Sequence, residues 1–265
     1  MENTFKINFQ LIDPDKVMLW GDTIHWFGLT DGLLWITAGD KSIYEYSDEV
    51  MEYYENKTNK YNDYQISRFL EDFSELFEHI SESVPEKYYA DPFSFDETAN
   101  KCLELHYDDE DDLFDTFYDN EYRAFIGWLW DRTMDSGHLV CGPHISCVRC
   151  GEKIKLIWFA EEKNSDGVNM WSTPKGCFEM PYKTFVSEVK NFFADFFTEM
   201  DKQVENAVKK DWGKVKLDKK RLVEEHKERK EMFYQRIAFL DNCDKHTDWK
   251  KIDELHKKLL SELEG

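Results

Sequence analysis

Alternating apolar and polar positions near the start of the chain predict a small antiparallel sheet. Residues 5–11 alternate weakly, and residues 23–37 hold two apolar, β-favouring runs on either side of Asp31-Gly32. An Asp-Gly pair supplies the two positive-φ positions of a tight hairpin turn. A second break at residues 39–41 leads into an apolar run at 43–46. We therefore predict a three-stranded meander within residues 5–46.

A second alternating region predicts a further meander. Residues 144–149 and 153–160 read as a hairpin across Cys150-Gly151-Glu152, and segments 168–173 and 177–180 read as two more strands. In the segment 153–160 apolar side chains occupy both faces of the predicted strand. This pattern is typical of a strand that is covered on both sides: Ile154, Leu156 and Trp158 share one face, and Ile157 and Phe159 share the other.

Apolar residues at steps of three and four predict amphipathic helices in the rest of the chain. The first ends before Pro85, and the last third of the chain is helical, with Pro181 in a first helical turn and Asp218 as an N-cap. We expect Leu113 to face inward. The predicted helices span residues 66–84, 94–106, 111–134, 181–210, 218–240 and 247–263.

These elements predict an α+β fold, in which a mostly antiparallel sheet built from two meanders packs against amphipathic helices and ends in a helical region. With 265 residues the chain is long enough for a sizeable core. We predict one domain over residues 1–240, with a C-terminal helix within 241–265 packed on it or flanking it. No apolar run reaches the roughly 20 residues of a membrane span, and no secretion signal is evident. A cytoplasmic protein is therefore expected.

The charge of the chain is strongly asymmetric. The net charge is −21, and residues 1–180 carry 15 basic and 37 acidic side chains, whereas residues 181–265 carry 19 and 18. A negative field repels nucleic acids and anionic membranes and attracts basic proteins. We therefore expect a basic protein partner, with no direct contact to nucleic acid or to a membrane. Acidity that only keeps the protein in solution is the alternative.

Eight acidic residues within 14 positions are the densest candidate for a binding surface. No basic residue interrupts the run, and the loops at Asp31 and Asp40 add further acids to the predicted surface. Acids also favour a helix start, so a solvated helix end is the alternative. The candidate partner-binding residues in the run are Asp108, Asp109, Glu110, Asp111, Asp112, Asp115, Asp119 and Glu121.

The segment 25–32 is the most distinctive short run and offers two possible contact residues, His25 and Trp26. Aromatic side chains are enriched at interface hot spots. The alternative is that they pack in the core and that the polar residues serve the turn.

Cys141, His144, Cys147 and Cys150 lie within ten residues, and the Cys147-x-x-Cys150 spacing is that of a zinc knuckle. On a strand, however, His144 and Cys147 point to opposite faces, as do Cys147 and Cys150. Buried thiols on a strand are therefore the preferred interpretation, with neither a metal nor a cofactor expected. The six cysteines have no spacing typical of a disulfide framework, which favours reduced thiols.

The sequence contains no phosphate-binding glycine loop, G-x-S-x-G elbow or H-E-x-x-H helix, so we predict a binding protein and not an enzyme. Several segments, between them spanning nearly the whole chain, resemble an uncharacterised bacterial family that carries a domain of unknown function. They include His25-Trp-Phe-Gly-Leu-Thr-Asp-Gly-x-x-Trp-Ile36, Tyr61-x-Asp-Tyr-Gln65, Leu139-x-x-Gly-Pro-His-Ile145 and Phe185-x-x-Glu-Val-x-x-Phe192.

The resemblance implies a role like that of bacterial immunity proteins, which bind and block a toxin. The leading hypothesis is an acidic inhibitor of a basic toxin or effector. A DNA mimic that blocks restriction or defence is the alternative, and an enzyme or zinc-bearing regulator with an unrecognised site is a third.

Overall fold

The strands form two antiparallel sheets in the computed structural model, which describes residues 4–55 and 57–264. The first has the order β1-β2-β3 and the second the order β4-β5-β6-β7. Helices pack against both, which confirms the α+β class. The strands are β1 (Phe5–Leu11), β2 (Gly32–Ala38), β3 (Lys41–Ile43), β4 (Thr133–Met134), β5 (His144–Cys150), β6 (Lys153–Phe159) and β7 (Lys175–Pro181).

The helices cover most of the remaining chain. They are α1 (Asp48–Tyr53), α2 (Ile66–Glu75), α3 (Phe77–Ser81), α4 (Glu86–Ala90), α5 (Pro92–Leu105), α6 (Asp111–Phe117), α7 (Arg123–Trp130), α8 (Tyr182–Lys209), α9 (Lys219–Ala238) and α10 (Trp249–Glu264). A π-helical segment, Tyr118–Tyr122, joins α6 to α7. No helix within the described residues is long and apolar enough to cross a membrane.

The predicted hairpin turn at Asp31-Gly32 is wrong. The residues before it, Gly28–Thr30, form a short 3-10 helix, and Gly32 opens β2, which pairs with β1 along its whole length. A Cβ atom on Gly32 would lie 2.6 Å from the carbonyl oxygen of Gln10. The glycine is therefore needed for the close approach of β1 and not for a turn.

The β5–β6 hairpin across Gly151 is confirmed, with Cys150 opposite Lys153, and β7 pairs with β6 as the third strand. A strand at 168–173 was expected here and is wrong. That segment instead crosses to the first sheet, where Ser47 N–H donates to Met170 O and Ser172 N–H donates to Glu45 O. The segment therefore pairs with residues 45–47, and the two edges of β6 are taken by β5 and β7.

The second sheet separates two hydrophobic cores. Cys147 and Val148 are adjacent in β5 and both fully buried, yet Cys147 packs in the first core and Val148 in the second. Residues 154, 156 and 158 of β6 also face the first core, and Phe159 faces the other side against Phe93. The predicted two-sided cover of β6 is confirmed. The first core is filled largely by the phenylalanine stripe of α8, at positions 185, 192, 193, 196 and 197.

Two predicted helices differ in detail. The helix expected over 66–84 is broken at Leu76 into α2 and α3 and ends at Ser81, four residues before Pro85. In the helix from Asp111 the prediction that Leu113 faces inward is wrong, because its side chain is 59% exposed. The short α6 buries only Phe117 on the second core, which leaves the opposite side of this turn in solvent.

Helix α10 is part of the second core. It packs against α5 and α7, and Ile252 and Leu259 are buried there. The Cys102 thiol on α5 donates to the carbonyl oxygen of Leu259. The C-terminal helix thus closes a core whose other walls come from the middle of the chain.

A buried ion pair connects the segments that surround this core. Arg132, which is fully buried, donates from Nη2 to Glu82 Oε2 at 2.6 Å and from Nη1 to Trp128 O at 2.6 Å. Glu82 also accepts the backbone N–H of Thr247 at 2.6 Å and its hydroxyl at 2.7 Å. One carboxylate therefore joins the end of α3, the end of α7 and the approach to α10.

Replacing Arg132 with Met should lower the free energy of unfolding by about 3–5 kcal/mol, because Glu82 would be left charged and buried without its partner. Urea unfolding followed by circular dichroism measures the change. Lys190→Met, which breaks the exposed pair with Asp241, is the matched control and should cost at most about 1 kcal/mol. Equal effects of the two variants would contradict the assigned role of the buried pair.

Candidate functional site

The acidic segment, residues 108–121, connects the end of α5 to the π-helical segment before α7. Glu110 takes the N-cap position of α6, and Asp111 and Asp112 lie in its first turn. Carboxylates are favoured there because they face the positive end of the helix dipole. The helix dipole thus accounts for acidic residues at positions 111 and 112, but not for the other six acids of the segment.

Most of these acids have no positive partner. Asp109 lies 2.7 Å from His106, and Glu121 pairs with Lys258 of α10. No salt bridge within the described residues engages the other six, all of them exposed: Asp108, Glu110, Asp111, Asp112, Asp115 and Asp119. The acidic segment therefore presents a concentrated negative charge that the rest of the described chain does not neutralise.

Exposed apolar side chains accompany these acids. Leu105 is 57% exposed, Tyr107 63% and Leu113 59%. Large side chains left in solvent among carboxylates provide contact area as well as charge, as protein interfaces require. We call residues 105–121, with these three side chains and the acids, the acidic-apolar surface.

Asp31 and Asp40 belong to the first sheet and not to the acidic-apolar surface. Asp31 is half-buried and accepts the backbone N–H of Met18 at 3.1 Å, and burial raises its pKa. Its carboxylate therefore serves the fold of this loop. Asp40 is exposed in the β2–β3 turn, 3.2 Å from the Lys41 amine. The structure thus carries these two residues on a different part of the fold from residues 108–121.

Trp26 is a core residue, so its proposed role as a surface contact is wrong. It is completely buried, and its indole N–H donates to His226 Nδ1 at 3.1 Å. His226 Nδ1 therefore accepts, and Nε2 carries the proton toward Asp201 at 2.8 Å. His25 is exposed beside Trp20, which is itself 62% exposed. Sequence periodicity does not reveal Trp20, because it stands in an irregular loop.

The four candidate zinc ligands do not form a metal site. Cys147 is buried in the first core, whereas His144 and Cys150 lie on the other face of β5. Over residues 4–55 and 57–264, no group of three or more His, Cys, Asp or Glu side chains is placed to hold a metal ion. Burial raises the pKa of the Cys147 thiol, so this cysteine stays protonated. Because side chains alternate between the two faces of a strand, Cys147 and Cys150 lie on opposite faces of β5.

A cleft of about 700 Å³ lies between α5, α7 and the second sheet. Its apolar walls include Phe93, Leu129 and Phe159, and its polar groups include Asp96 and His144. The sequence pattern does not reveal this cleft. The only signal is a polar stripe on α5, whose positions 96, 97, 100, 101 and 104 share one face, and such a stripe normally faces solvent.

Asp96 is the electrostatically unusual residue of this cleft. Burial raises its pKa, although Asn100 donates a hydrogen bond to its carboxylate at 3.1 Å. The neighbouring Glu97 is paired with Lys101 at 2.7 Å, which lowers the pKa of Glu97. Asn100 in turn accepts the Tyr122 hydroxyl at 2.7 Å. Among the described residues, the cleft therefore holds two carboxylates without a cation, Asp96 and Glu104, and one that is paired, Glu97.

Together the fold and its surfaces define an α+β protein with two cores, an acidic-apolar surface and a carboxylate-bearing cleft. The chain belongs to a family of unknown function (DUF5984), whose model matches residues 6–255. Neither the curated proteins nor the solved structures contain a match to this chain.

Asp96→Asn should stabilise the protein at pH 7. A raised folded-state pKa means that the ionised carboxylate opposes folding, so its penalty is present above the folded pKa and absent below the unfolded value of about 4. The gain should therefore vanish as the pH falls below about 4, as measured by urea unfolding at several pH values. Glu97→Gln, at the adjacent position, should show the opposite sign at pH 7. A loss of stability in Asp96→Asn at pH 7 would contradict this account.

Proposed function

We propose that this protein binds a basic protein through its acidic-apolar surface. The observation that carries the proposal is that six exposed acids without ion-pair partners among the described residues, and three exposed apolar side chains, lie within residues 105–119. The acids supply long-range attraction to a positive surface, and Leu105, Tyr107 and Leu113 supply area to bury on contact. Complementary charge raises the association rate and sets specificity, while buried apolar contacts slow dissociation.

The class of partner that fits best is a basic bacterial toxin or effector, with this protein as its cytoplasmic immunity or inhibitor protein. Two things support this choice. The resemblance to an uncharacterised bacterial family implies an immunity-like role, and the net negative charge lies in residues 1–180. The near-neutral residues 181–265 supply α8, which fills the first core, and α10, which closes the second. In this proposal they act as scaffold.

A DNA mimic is less well supported. Imitation of a phosphate backbone needs two lines of carboxylates at regular spacing, and contacts to phosphates are themselves charged or polar. The exposed Leu105, Tyr107 and Leu113 interrupt such a surface. They suit a protein partner whose own interface includes apolar groups.

A ligand-binding or enzymatic role is the second candidate, and the cleft with Asp96 and His144 favours it. Polar groups that converge in an apolar-walled cleft of this size are typical of small-molecule sites. A thermal-shift screen of metabolites against the wild type and His144→Ala tests it. A compound that stabilises the wild type alone would support this role, whereas the absence of any such compound would count against it.

Reversing Asp109, Asp111 and Asp112 to lysine should weaken partner capture by at least about tenfold, mainly through slower association. Affinity capture by the purified chain, from cells that express the neighbouring genes, identifies the partner. Surface plasmon resonance at two salt concentrations then measures association, and the wild type should lose more of its rate at high salt than the variant.

The control reverses three exposed acids on α9, Glu224, Glu228 and Glu231, and so changes the net charge by the same amount. This variant should retain association close to that of the wild type. If both variants lose binding equally, net charge and not the acidic-apolar surface governs association. If neither variant loses binding, the proposed surface is wrong.

Tyr107→Ala and Leu113→Ser should leave the stability almost unchanged, because both side chains are mostly in solvent. In the complex they should speed dissociation by at least about tenfold if they are interface anchors. Dissociation rates from surface plasmon resonance, with unfolding curves on the same samples, separate the two effects. Unchanged dissociation rates in both variants would show that Tyr107 and Leu113 do not contribute to the binding surface.

A further inference from the structure

The cleft between α5, α7 and the second sheet is elongated. Its wall on α5 runs from Phe93 to Glu104, and the lining positions between them, 96, 97, 100 and 101, share one face of the helix. At about 1.5 Å per residue this wall is about 16 Å long. The other walls come from α7, Thr133, β5 and β6. A cleft of this shape suits an extended guest better than a compact one.

The cleft carries an uncompensated negative charge. Three carboxylates and one amine line it, and the amine, that of Lys101, is paired with Glu97. Asp96 and Glu104 have no cation partner among the described residues. They stand eight residues apart on α5, which places their positions about 12 Å apart along the helix axis. Two negative groups at this separation favour a guest with a positive group at each end.

Both of these carboxylates can be reached from solvent. Glu104 is exposed, and Asp96 is only half-buried. Asp96 Oδ2 accepts the hydrogen bond from Asn100 at 3.1 Å, whereas Oδ1 accepts none from the described residues and is open to solvent. A donor group of a ligand can therefore contact Asp96 Oδ1 without displacing a hydrogen bond of the protein.

The hydroxyl groups of the cleft also present acceptors. The Thr133 hydroxyl donates to Leu129 O at 2.9 Å, so in the contact of 2.8 Å between Thr133 and Ser146 the hydrogen belongs to Ser146. Each hydroxyl has one hydrogen, and both hydrogens are used within the protein. These groups can therefore only accept hydrogen bonds from a ligand, which favours a guest rich in N–H donors.

The charge of Asp96 is not needed for the fold. An asparagine oxygen would accept the hydrogen bond from Asn100 equally well, and burial raises the pKa of Asp96, so its ionised form opposes folding. Ionisable groups that are unfavourable for the fold concentrate at functional sites. The aromatic side chains of the cleft, Phe93, Trp130 and Phe159, are partly exposed, and aromatic rings attract ammonium groups.

We propose that the cleft binds a linear polyamine of the length of spermidine, with one terminal ammonium group on Asp96 and the other on Glu104. An extended chain gains about 3.6 Å for every three bonds, so the nine bonds between the terminal nitrogens of spermidine span about 11 Å. This length matches the separation of the two positions along α5. The inference rests on the second candidate role, the cleft as a ligand site, and is independent of the protein partner.

Diamines of different length test the spacing of the two carboxylates. Isothermal titration calorimetry on the full chain should show one site that binds spermidine and 1,8-diaminooctane about tenfold more tightly than 1,4-diaminobutane. The two diamines carry the same charge, but the shorter one cannot reach both carboxylates. Equal affinities of the two diamines, or no binding of spermidine, would overturn the proposal.

Asp96→Asn and Glu104→Gln should each abolish the advantage of the long amines over 1,4-diaminobutane. Asp96→Asn should also be more stable than the wild type at pH 7, so its loss of binding cannot come from unfolding. The control is Glu52→Gln, which removes the same charge from an exposed position on α1, away from the cleft. An equal loss in Glu52→Gln would show that net charge governs amine binding and would overturn the proposal.

The metabolite screen separates a failure of this inference from a failure of the ligand-binding role. If a neutral compound stabilises the wild type but not His144→Ala, and the long amines do not bind, the cleft is a ligand site and the assignment to polyamines is wrong. If neither the amines nor any other compound binds, both the inference and the ligand-binding role are wrong. Neither result bears on the acidic-apolar surface, whose variants are tested with a protein partner.

Discussion

The ion pair between Arg132 and Glu82 holds together the half of the molecule that carries the acidic-apolar surface. Both side chains are buried, and Glu82 also accepts both hydrogen bonds from Thr247. This fixes the approach to α10, which closes the second core against α5 and α7. The acidic segment, residues 108–121, packs on that core through Phe117, and Lys258 of α10 pairs with Glu121. The buried ion pair therefore helps to position the segment that carries the surface acids.

The second sheet imposes the other constraint. Because successive residues of β5 point to opposite faces, Cys147 and Val148 serve two different cores. The same alternation separates Cys147 from His144 and Cys150, so the spacing of a zinc knuckle does not produce a metal site here. The cleft lies on the side of β5 that carries His144, and the phenylalanine stripe of α8 lies on the other.

Periodicity identified the β5–β6 hairpin, whose two strands are adjacent in the sequence, and the buried stripe of α8, which the spacing within one helix reveals. Periodicity failed where contacts between residues far apart in the sequence determine the local structure. Gly32 looked like a turn residue, but the approach of Gln10 explains it, and residues 168–173 looked like a strand of the second sheet, although their hydrogen bonds go to residues 45–47. The cleft was not predicted for the same reason. The polar stripe on α5 lines a cleft only because α7 and the second sheet lie opposite it in the fold.

Acidity is a local property of this molecule, since residues 181–265 are nearly neutral and supply scaffold helices. We propose that a basic protein binds the acidic-apolar surface. Hydrogen–deuterium exchange of the chain with and without its captured partner measures where that partner binds. Binding at this surface gives new protection in peptides that cover residues 105–121 and none along α9. Protection on α9 with unchanged exchange at 105–121 would contradict it.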